Sequence, residues 1–148
     1  MYNQDKFMSD TEKILNGCLY FSTNSLARLI TKLADEEFRI TGLSPAHAFV
    51  MIVVNEKPGI VPGEISNRLQ IAPSTVTRFI DQLEKKELLK RKSEGKAVKI
   101  FPLQKGMDLQ ESIDSAWKGL HDRYTSILGD KYSDVLTQLI NDAIKKLE

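Results

Sequence analysis

The stretch from residue 62 to residue 101 restricts the possible folds more than any other part of the chain. Within it, residues 73–84 read PSTVTRFIDQLE and place apolar side chains at i, i+3, i+4 and i+7, the spacing of one buried helix face. Pro73 suits the first position of such a helix, where its missing N–H is not needed. The segment before it has its own apolar pair, Ile65 and Leu69. The spacing therefore predicts two helices joined by a two-residue break at 71–72.

A pair of short strands is predicted directly after the second helix. Residues 88–89 and 98–101 are rich in apolar and β-branched side chains, and the turn signal at 93–95 separates them. Helix, tight turn, helix and hairpin in this order are typical of a winged helix-turn-helix. Basic residues flank the predicted turn on both sides: Arg91, Lys92, Lys96 and Lys99.

The polar face of the second helix carries the groups that bond base edges and phosphates in a major groove: short hydroxyls, a guanidinium and an amide. These residues are Ser74, Thr75, Thr77, Arg78 and Gln82. A lone amphipathic helix usually has a solvated polar face with no further role. The basic hairpin that follows favours a surface that reads DNA.

The distribution of charge supports this interpretation, although the net charge is only +1. Residues 61–105 contain ten Lys and Arg against five Asp and Glu, and the remainder contains eleven against fifteen. A basic middle within an acidic remainder is the electrostatic pattern of a nucleic-acid-binding module on a neutral scaffold.

Length and composition fit one globular domain. The chain has 148 residues, of which 41% are hydrophobic and 28% charged. No apolar run reaches the roughly 20 residues that span a bilayer, and residues 1–6 lack a secretory pattern. The single cysteine excludes an internal disulfide and favours a reducing compartment. We therefore expect a cytoplasmic protein with no membrane segment.

The flanking segments predict long helices. A capping box at Ser9–Glu12 should begin a helix whose apolar spacing continues to Gly42, about thirty residues in all. Ser44 and Pro45 should begin the next helix, residues 106–128 a fifth, and Ser133 or a neighbour a sixth. A helix more than twice the usual length is poorly covered by one small domain. Its apolar stripe therefore predicts a second subunit.

The run STVTRFIDQLEKKELLKR at 74–91, followed by a basic wing, resembles the MarR family of bacterial transcriptional regulators. The resemblance covers nearly the whole chain and is strongest from residue 43 to about residue 106. It implies a mainly α fold with a small β-hairpin wing, in one domain over residues 1–148. A winged helix-turn-helix DNA-binding lobe would span 43–105, and long N- and C-terminal dimerisation helices would span 9–42 and 106–148.

The resemblance also implies a homodimer that binds a pseudo-palindromic double-stranded operator, as a repressor released by a small-molecule effector. Glu87 departs from the family, which usually has glycine there, and Lys96 stands at the wing tip in place of an arginine group. Lysine carries the charge without the planar fork of arginine. The expected DNA-binding residues are Arg68, Ser74, Thr75, Thr77, Arg78, Gln82, Lys92, Lys96 and Lys99.

Members of the family often bind small aromatic or phenolic anions between the dimer helices and the winged lobe. By position, the candidate effector-binding residues are Phe38, His47, Phe49 and Trp117, although aromatic residues at helical spacing more often belong to a core. Two alternatives stay open. Some relatives sense peroxide through a cysteine on the first helix, where Cys18 lies, and a winged helix can serve as a protein-interaction module.

Catalysis has little support in the sequence. The two histidines, His47 and His121, lie far apart and have no partner at metal-ligand spacing. No glycine-rich phosphate loop or Gly-x-Ser-x-Gly motif occurs. We therefore expect no enzymatic activity, no metal and no cofactor.

Overall fold

The structure is a computed structural model that describes residues 9–148. The prediction that residues 1–6 carry no secretory signal concerns residues outside this range. Within it, the chain forms eight α-helices, a short 3₁₀ turn and one two-stranded antiparallel hairpin, so the predicted fold class is confirmed. The elements are α1 (Asp10–Asn16), α2 (Leu19–Phe38), the 3₁₀ turn (Arg39–Thr41), α3 (Pro45–Glu56), α4 (Pro62–Leu69), α5 (Pro73–Lys85), β1 (Leu89–Glu94), β2 (Ala97–Pro102), α6 (Gln104–Asp108), α7 (Gln110–Leu128) and α8 (Asp130–Leu147).

The prediction of one unbroken N-terminal helix is wrong. Its start is confirmed, because the Ser9 Oγ accepts from the Glu12 N–H and the Glu12 carboxylate accepts from the Ser9 N–H at 2.9 Å. The helix ends at Gly17, however, and Cys18 is extended before α2 begins. Glycine has a weak helix propensity, and the apolar spacing does not register a break of two residues. The predicted stop at Gly42 is confirmed, with a φ of +70°.

Two C-terminal boundaries also differ from those predicted. The segment predicted as one helix over 106–128 is divided at Leu109 into α6 and α7. The last helix begins at Asp130, directly after Gly129, and not at Ser133. Ser133 is buried and its hydroxyl donates to the Gly129 carbonyl at 2.8 Å, so this side chain lies inside the first turn and does not cap it.

The core lies where α3 meets the apolar faces of α5 and the hairpin. Val50, Met51 and Val54 of α3 are fully buried, and so are three of the four residues of the predicted apolar face of α5, while Phe79 is half-buried. Before α4, Ile60 pairs with Ile100 of β2 in a single antiparallel bridge. This bridge joins the base of the hairpin to the segment that leads into α4, and so fixes the hairpin to the helices.

The long helices α2 and α7 pack along each other outside this core. Arg123 of α7 bonds Glu36 of α2 at 2.6 Å and Glu37 at 3.4 Å. The hydrogen bond from Arg123, together with its charge, holds the pKa of Glu36 below its usual value, so this carboxylate stays ionised. No single helix within residues 9–148 is long and apolar enough to cross a membrane; only residues 19–41 and 45–56, a pair bent by 57°, reach that length and composition together.

Glu87 occupies a position that favours glycine. Its φ is +59°, directly after the C-cap Lys86 of α5. The Leu88 N–H bonds the Leu83 carbonyl at 3.1 Å and the Glu87 N–H bonds the Glu84 carbonyl at 2.9 Å, which is the Schellman pattern of helix ends. The helix therefore ends in a regular Schellman motif, built with a residue that a left-handed backbone disfavours.

Replacing Glu87 with glycine should raise the free energy of unfolding by up to about 1 kcal/mol. The glycine removes the strain of a side chain on a left-handed backbone, and this gain outweighs the extra freedom of the unfolded chain, which acts in the opposite direction. Urea denaturation measures this change. Lys85→Gly is the matched control. Lys85 lies two residues earlier with ordinary helical geometry, so this variant should lower the free energy of unfolding by about 1 kcal/mol. A lower midpoint for Glu87→Gly than for the parent chain would contradict the argument.

Candidate nucleic-acid interface

The turn between α4 and α5 is held by a buried serine. Ser66 is 8% exposed, and its hydroxyl donates to the Ile71 carbonyl at 2.6 Å while its own carbonyl accepts from the Ile71 N–H. Gln70 takes a φ of +54° to reverse the chain, and α5 begins at Pro73. These bonds set the orientation of α5 relative to α4.

One side of α5 is buried and the opposite side is exposed. Val76, Ile80 and Leu83 are almost completely covered. The polar residues that the sequence singles out lie on the other side, with Thr75 half-buried at its edge. The exposed ones are Ser74, Thr77, Arg78 and Gln82. The structure therefore gathers them along one accessible stripe.

The side chains of this stripe differ in how firmly they are held. The Thr77 hydroxyl donates to the Pro73 carbonyl at 3.1 Å, which leaves its lone pairs free to accept. The Arg78 guanidinium lies over the Phe79 ring, 5.8 Å from its centroid. Gln82 is bonded to His47 of α3.

The hairpin turn is shorter than predicted. Residues 93 and 94 were expected in the turn, but they remain paired with Val98 and Ala97 of β2. The turn consists of Gly95 and Lys96 alone, and Gly95 has a φ of +62°. A glycine with positive φ at the first position is what a two-residue II′ hairpin turn requires. Lys96 thus lies at the wing tip, as predicted.

The two faces of the hairpin have different roles. Leu89, Arg91 and Ile100 lie on the inner face, while Lys92 and Lys99 are directly opposite each other on the outer face. Such a like-charge pair is unfavourable by itself. Glu94, on the same face, offsets it by contacting both ammonium groups, at 2.8 Å for Lys99 and 3.9 Å for Lys92. The hydrogen bond from Lys99 lowers the pKa of Glu94 below its usual value.

Lys96 is an unencumbered cation at the tip of the wing. It is exposed, and it makes no hydrogen bond or ion pair with any residue between 9 and 148. Lys90, which is not among the DNA-binding residues predicted from the sequence, also lies exposed on the outer face, two residues before Lys92. Successive side chains of a strand point to opposite faces, so the apolar neighbour Leu89 is the signal that could have placed Lys90 on the outer face.

Arg91 has an internal role that the sequence did not reveal. Its backbone N–H and one guanidinium nitrogen both bond the Glu84 carboxylate, at 2.9 and 3.0 Å. Its other terminal nitrogen bonds Asp81 and, at 3.4 Å, the Thr77 carbonyl. Arg91 therefore joins β1 to three positions of α5, and it holds the wing against the exposed stripe.

Arg68, expected to contact phosphate, is exposed on α4 and forms an ion pair with Glu56 of α3. A second pair, Lys57 with Glu64 at 2.9 Å, connects the same two helices. Both pairs are exposed and contribute little to stability. They show that Arg68 already has an acidic neighbour, as do Lys92 and Lys99, so its expected phosphate contact stays a prediction.

The four residues suggested for an effector lie in three separate surroundings. Phe38 is fully buried and packs edge-on against Phe49, with ring centroids 5.8 Å apart. His47 contacts Phe79 of α5 at 4.2 Å between centroids. Trp117 of α7 is 54% exposed and stacks on His121. The structure brings Phe38 and Phe49 together and does not join them to His47 or Trp117.

A basic crevice opens beside His47, between the 3₁₀ turn, the end of α5 and α6. Its two adjoining cavities have volumes of about 420 and 530 Å³. Lys86 and Lys105 partly cross it, since the Lys86 Nζ donates to the Gly42 carbonyl at 3.4 Å and the Lys105 Nζ donates to the Lys86 carbonyl at 3.1 Å. The other lining residues are Thr41, Leu43, Ser44, Gln82, Lys85, Leu88, Asp108 and Leu109.

Cys18, the residue of the redox alternative, is the N-cap of α2 and carries a free, half-buried thiol. Within residues 9–148, no group of three His, Cys, Asp or Glu side chains is arranged to hold a metal ion.

The helix-turn-helix of α4 and α5, with a basic hairpin joined to α5, defines a winged helix-turn-helix protein. The model of the MarR family matches residues 43–94, which include all of α3, α4, α5 and β1. The HTH-type transcriptional repressor MdtR of Bacillus subtilis is 27% identical over 134 residues, covering 88% of this chain and 81% of that protein. Over residues 43–94 the chain is therefore similar to the MarR family.

Solved structures share the same fold at lower identity. The PcaV transcriptional regulator of Streptomyces coelicolor, in complex with its natural ligand, superposes with a TM-score of 0.80 at 16% identity, over 90% of this chain and 96% of that one. The MepR–DNA complex of S. aureus has a TM-score of 0.76 at 15% identity, over 87% and 98%.

Proposed function

We propose that the chain is a homodimeric transcriptional regulator that binds double-stranded DNA with sequence specificity. The observation that carries this proposal is the exposed polar stripe of α5 next to a wing with outward-facing lysines, which Arg91 joins to α5. An α-helix fits the major groove, and a hairpin beside it reaches the adjacent groove or backbone. The names of MdtR, a repressor, and of the MepR–DNA complex are in accord with this function.

The residues of the interface divide by chemistry. Ser74, Thr75, Thr77, Arg78 and Gln82 have the donors and acceptors for base edges, and α5 presents them together. Arg68, Lys92, Lys96 and Lys99 supply charge for phosphates. Lys96 is the strongest candidate among these four, because it has no acidic neighbour to displace within residues 9–148.

A homodimer would place two such lobes, residues 43–105, on one duplex. The long terminal segments, 9–42 and 106–148, would form the dimer, since their helices carry most of the exposed large apolar side chains. A two-fold axis then requires a pseudo-palindromic operator with half-sites about 10 bp apart. Acting on the chromosome of a bacterium, the regulator would work in the cytoplasm, and this role involves no catalytic step.

The regulator would act as a repressor that a small aromatic or phenolic ligand releases from DNA. The PcaV structure contains its natural ligand. In this chain, the basic crevice beside His47 adjoins both the 3₁₀ turn after α2 and the end of α5, so a ligand there would contact both the dimer helices and the reading helix. Such a ligand releases DNA only if it binds the two states with different affinity.

Two alanine variants separate base reading from phosphate contact. Arg78→Ala should cost about 1–3 kcal/mol on the preferred duplex and relax the sequence preference, because it removes a base contact. Lys96→Ala should weaken all duplexes alike and lower the slope of log affinity against log salt by roughly one. Selection from a random duplex pool, followed by titration at two salt concentrations, measures both effects. If neither variant changes binding, the proposed interface is wrong.

A further inference from the structure

His47 connects the start of α3 to the reading helix through a chain of hydrogen bonds. The Ser44 Oγ lies 2.6 Å from His47 Nδ1, and His47 Nε2 lies 2.5 Å from Gln82 Oε1. Ser44 caps α3 through the backbone N–H of His47, and this cap does not need the imidazole ring. The ring makes a separate contact, which reaches 35 positions along the chain to α5.

The direction of these hydrogen bonds follows from the acceptor at one end. A carboxamide oxygen can only accept, so His47 Nε2 carries the hydrogen and donates to Gln82 Oε1. Nδ1 is then an acceptor and receives the Ser44 hydroxyl hydrogen, while the Ser44 oxygen accepts from the His47 backbone N–H at 3.3 Å. One tautomer of His47, with its hydrogen on Nε2, is consistent with all three contacts.

The same ring supports a second reading residue. The His47 and Phe79 rings are in contact, with centroids 4.2 Å apart and an angle of 40° between their planes. The Arg78 guanidinium lies over the Phe79 ring. Arg78 and Gln82 are four residues apart and therefore neighbours on the same side of α5. The two longest side chains of the exposed stripe thus both depend on an aromatic pair that includes His47.

We propose that His47 is a positioning residue for base recognition, which holds Gln82 with its oxygen towards α3 and its NH₂ group outward. This proposal rests on the proposed function and extends it to specificity. A free glutamine reads adenine by donating to N7 and accepting from N6. With Oε1 turned towards His47, Gln82 presents donors only, and it selects acceptors such as the O6 and N7 of guanine or the O4 of thymine.

Two substitutions at position 47 separate the hydrogen bond from the packing. His47→Phe keeps a ring on Phe79 but removes the donor. His47→Gln removes the ring but can place an amide NH₂ near the position of Nε2. Random duplex selection with Gln82→Ala first identifies the base position that Gln82 reads, as the position where the preference is lost. Each variant is also compared with the parent chain for thermal unfolding and for the salt dependence of binding.

We expect His47→Phe to change the preference at that same position by about fivefold or more and to admit adenine there, since Gln82 recovers its acceptor. The unfolding temperature and the salt slope should stay close to those of the parent chain, which distinguishes positioning from a general structural effect. His47→Gln should keep the original preference. An unchanged selection with His47→Phe, or a change at a different position, would overturn the role of His47 while the DNA-binding function stands.

Failure of the parent chain to enrich any duplex would overturn the proposed function and this inference together. A second measurement on the parent chain covers the case in which His47→Phe does not fold. Long-range ¹⁵N–¹H correlation spectra of the imidazole report which nitrogen carries the hydrogen. The inference requires that hydrogen on Nε2, with a changed signal in Gln82→Ala, and a hydrogen on Nδ1 would overturn it.

Discussion

Replacing Gly106 with alanine should lower the free energy of unfolding by about 3 kcal/mol or more, a large loss for the addition of one methyl group. A Cβ at this position would lie 2.0 Å from the Leu88 carbonyl oxygen and 2.5 Å from the Met51 methyl group. The Met51 side chain can shift, but the Leu88 oxygen is backbone and accepts from the Leu103 N–H at 2.9 Å. Overpacking of a core commonly costs 1–3 kcal/mol, and a clash with fixed backbone belongs at the upper end or beyond.

Urea denaturation of Gly106→Ala measures this loss, and Gly63→Ala is the matched control. Gly63 lies in α4, and a Cβ built there meets nothing within 4 Å. Alanine at this helical position should leave stability unchanged or raise it by up to about 1 kcal/mol. If both variants unfold at the same urea concentration, then α6 does not pack against the base of the wing as closely as the distances indicate.

The elements that the sequence predicted well are those that neighbouring residues determine. The apolar face of α5 follows from the spacing of Val76, Ile80 and Leu83, and the structure buries all three. The capping residues Ser9 and Ser44 are also identified correctly, because a cap involves only the next three residues. In such places, local preference and the final packing agree.

The sequence-based predictions fail where a single residue or a contact between distant segments determines the structure. Gly17 divides the N-terminal helix although the apolar pattern continues on both sides of it. The spacing around Gly106 indicates a helix, but it does not reveal that the backbone of Leu88 approaches within contact of it. The packing of α6 against Leu88, the residue before β1, determines this feature, and the two segments lie too far apart in sequence for local spacing to reveal it.

The candidate interface shows the same division. Counting charges identified the basic region, and spacing identified the exposed stripe of α5. The pairing of the charges requires the fold: Glu94 contacts Lys92 and Lys99, and Arg91 turns inward to Asp81 and Glu84. His47 was grouped with aromatic effector candidates, since its partner Gln82 lies far along the chain. Sequence therefore indicates which residues carry chemistry, and the fold determines which of them remain available.

The terminal helices expose many large apolar side chains, and a contiguous exposed apolar surface commonly marks an interaction site. A cavity of about 370 Å³ between α2 and α7, lined largely by Leu26, Ile30, Leu33, Tyr124 and Ile127, continues this surface inward. A second copy of the chain would cover it, as the proposed homodimer requires. The exposed large apolar residues of α1, α2, α7 and α8 are Ile14, Leu15, Leu19, Tyr20, Phe21, Leu29, Trp117, Ile127, Leu128, Tyr132, Val135, Leu139, Ile140 and Leu147.

Leu139→Glu should therefore raise the dissociation constant of the dimer about a thousandfold. Leu139 of α8 is 61% exposed, so the substitution leaves the fold of the subunit intact. In a two-fold interface each substitution counts twice, and burying a leucine contributes about 2 kcal/mol, which gives about 4 kcal/mol for the dimer. Sedimentation equilibrium over a range of concentrations measures this change. The affinity for a duplex with two half-sites should also fall, because a separated subunit no longer brings a linked second subunit to the other half-site.

Val98→Glu is the control for this substitution. Val98 is also an exposed apolar residue, at 40%, but it lies on the wing and outside the terminal segments. It should leave the dimer dissociation constant unchanged, although its added negative charge next to the wing lysines should weaken DNA binding. Dimerisation that survives Leu139→Glu would mean that a different surface joins the subunits. A parent chain that sediments as a monomer at every concentration would refute the two-fold arrangement on which the half-site spacing depends.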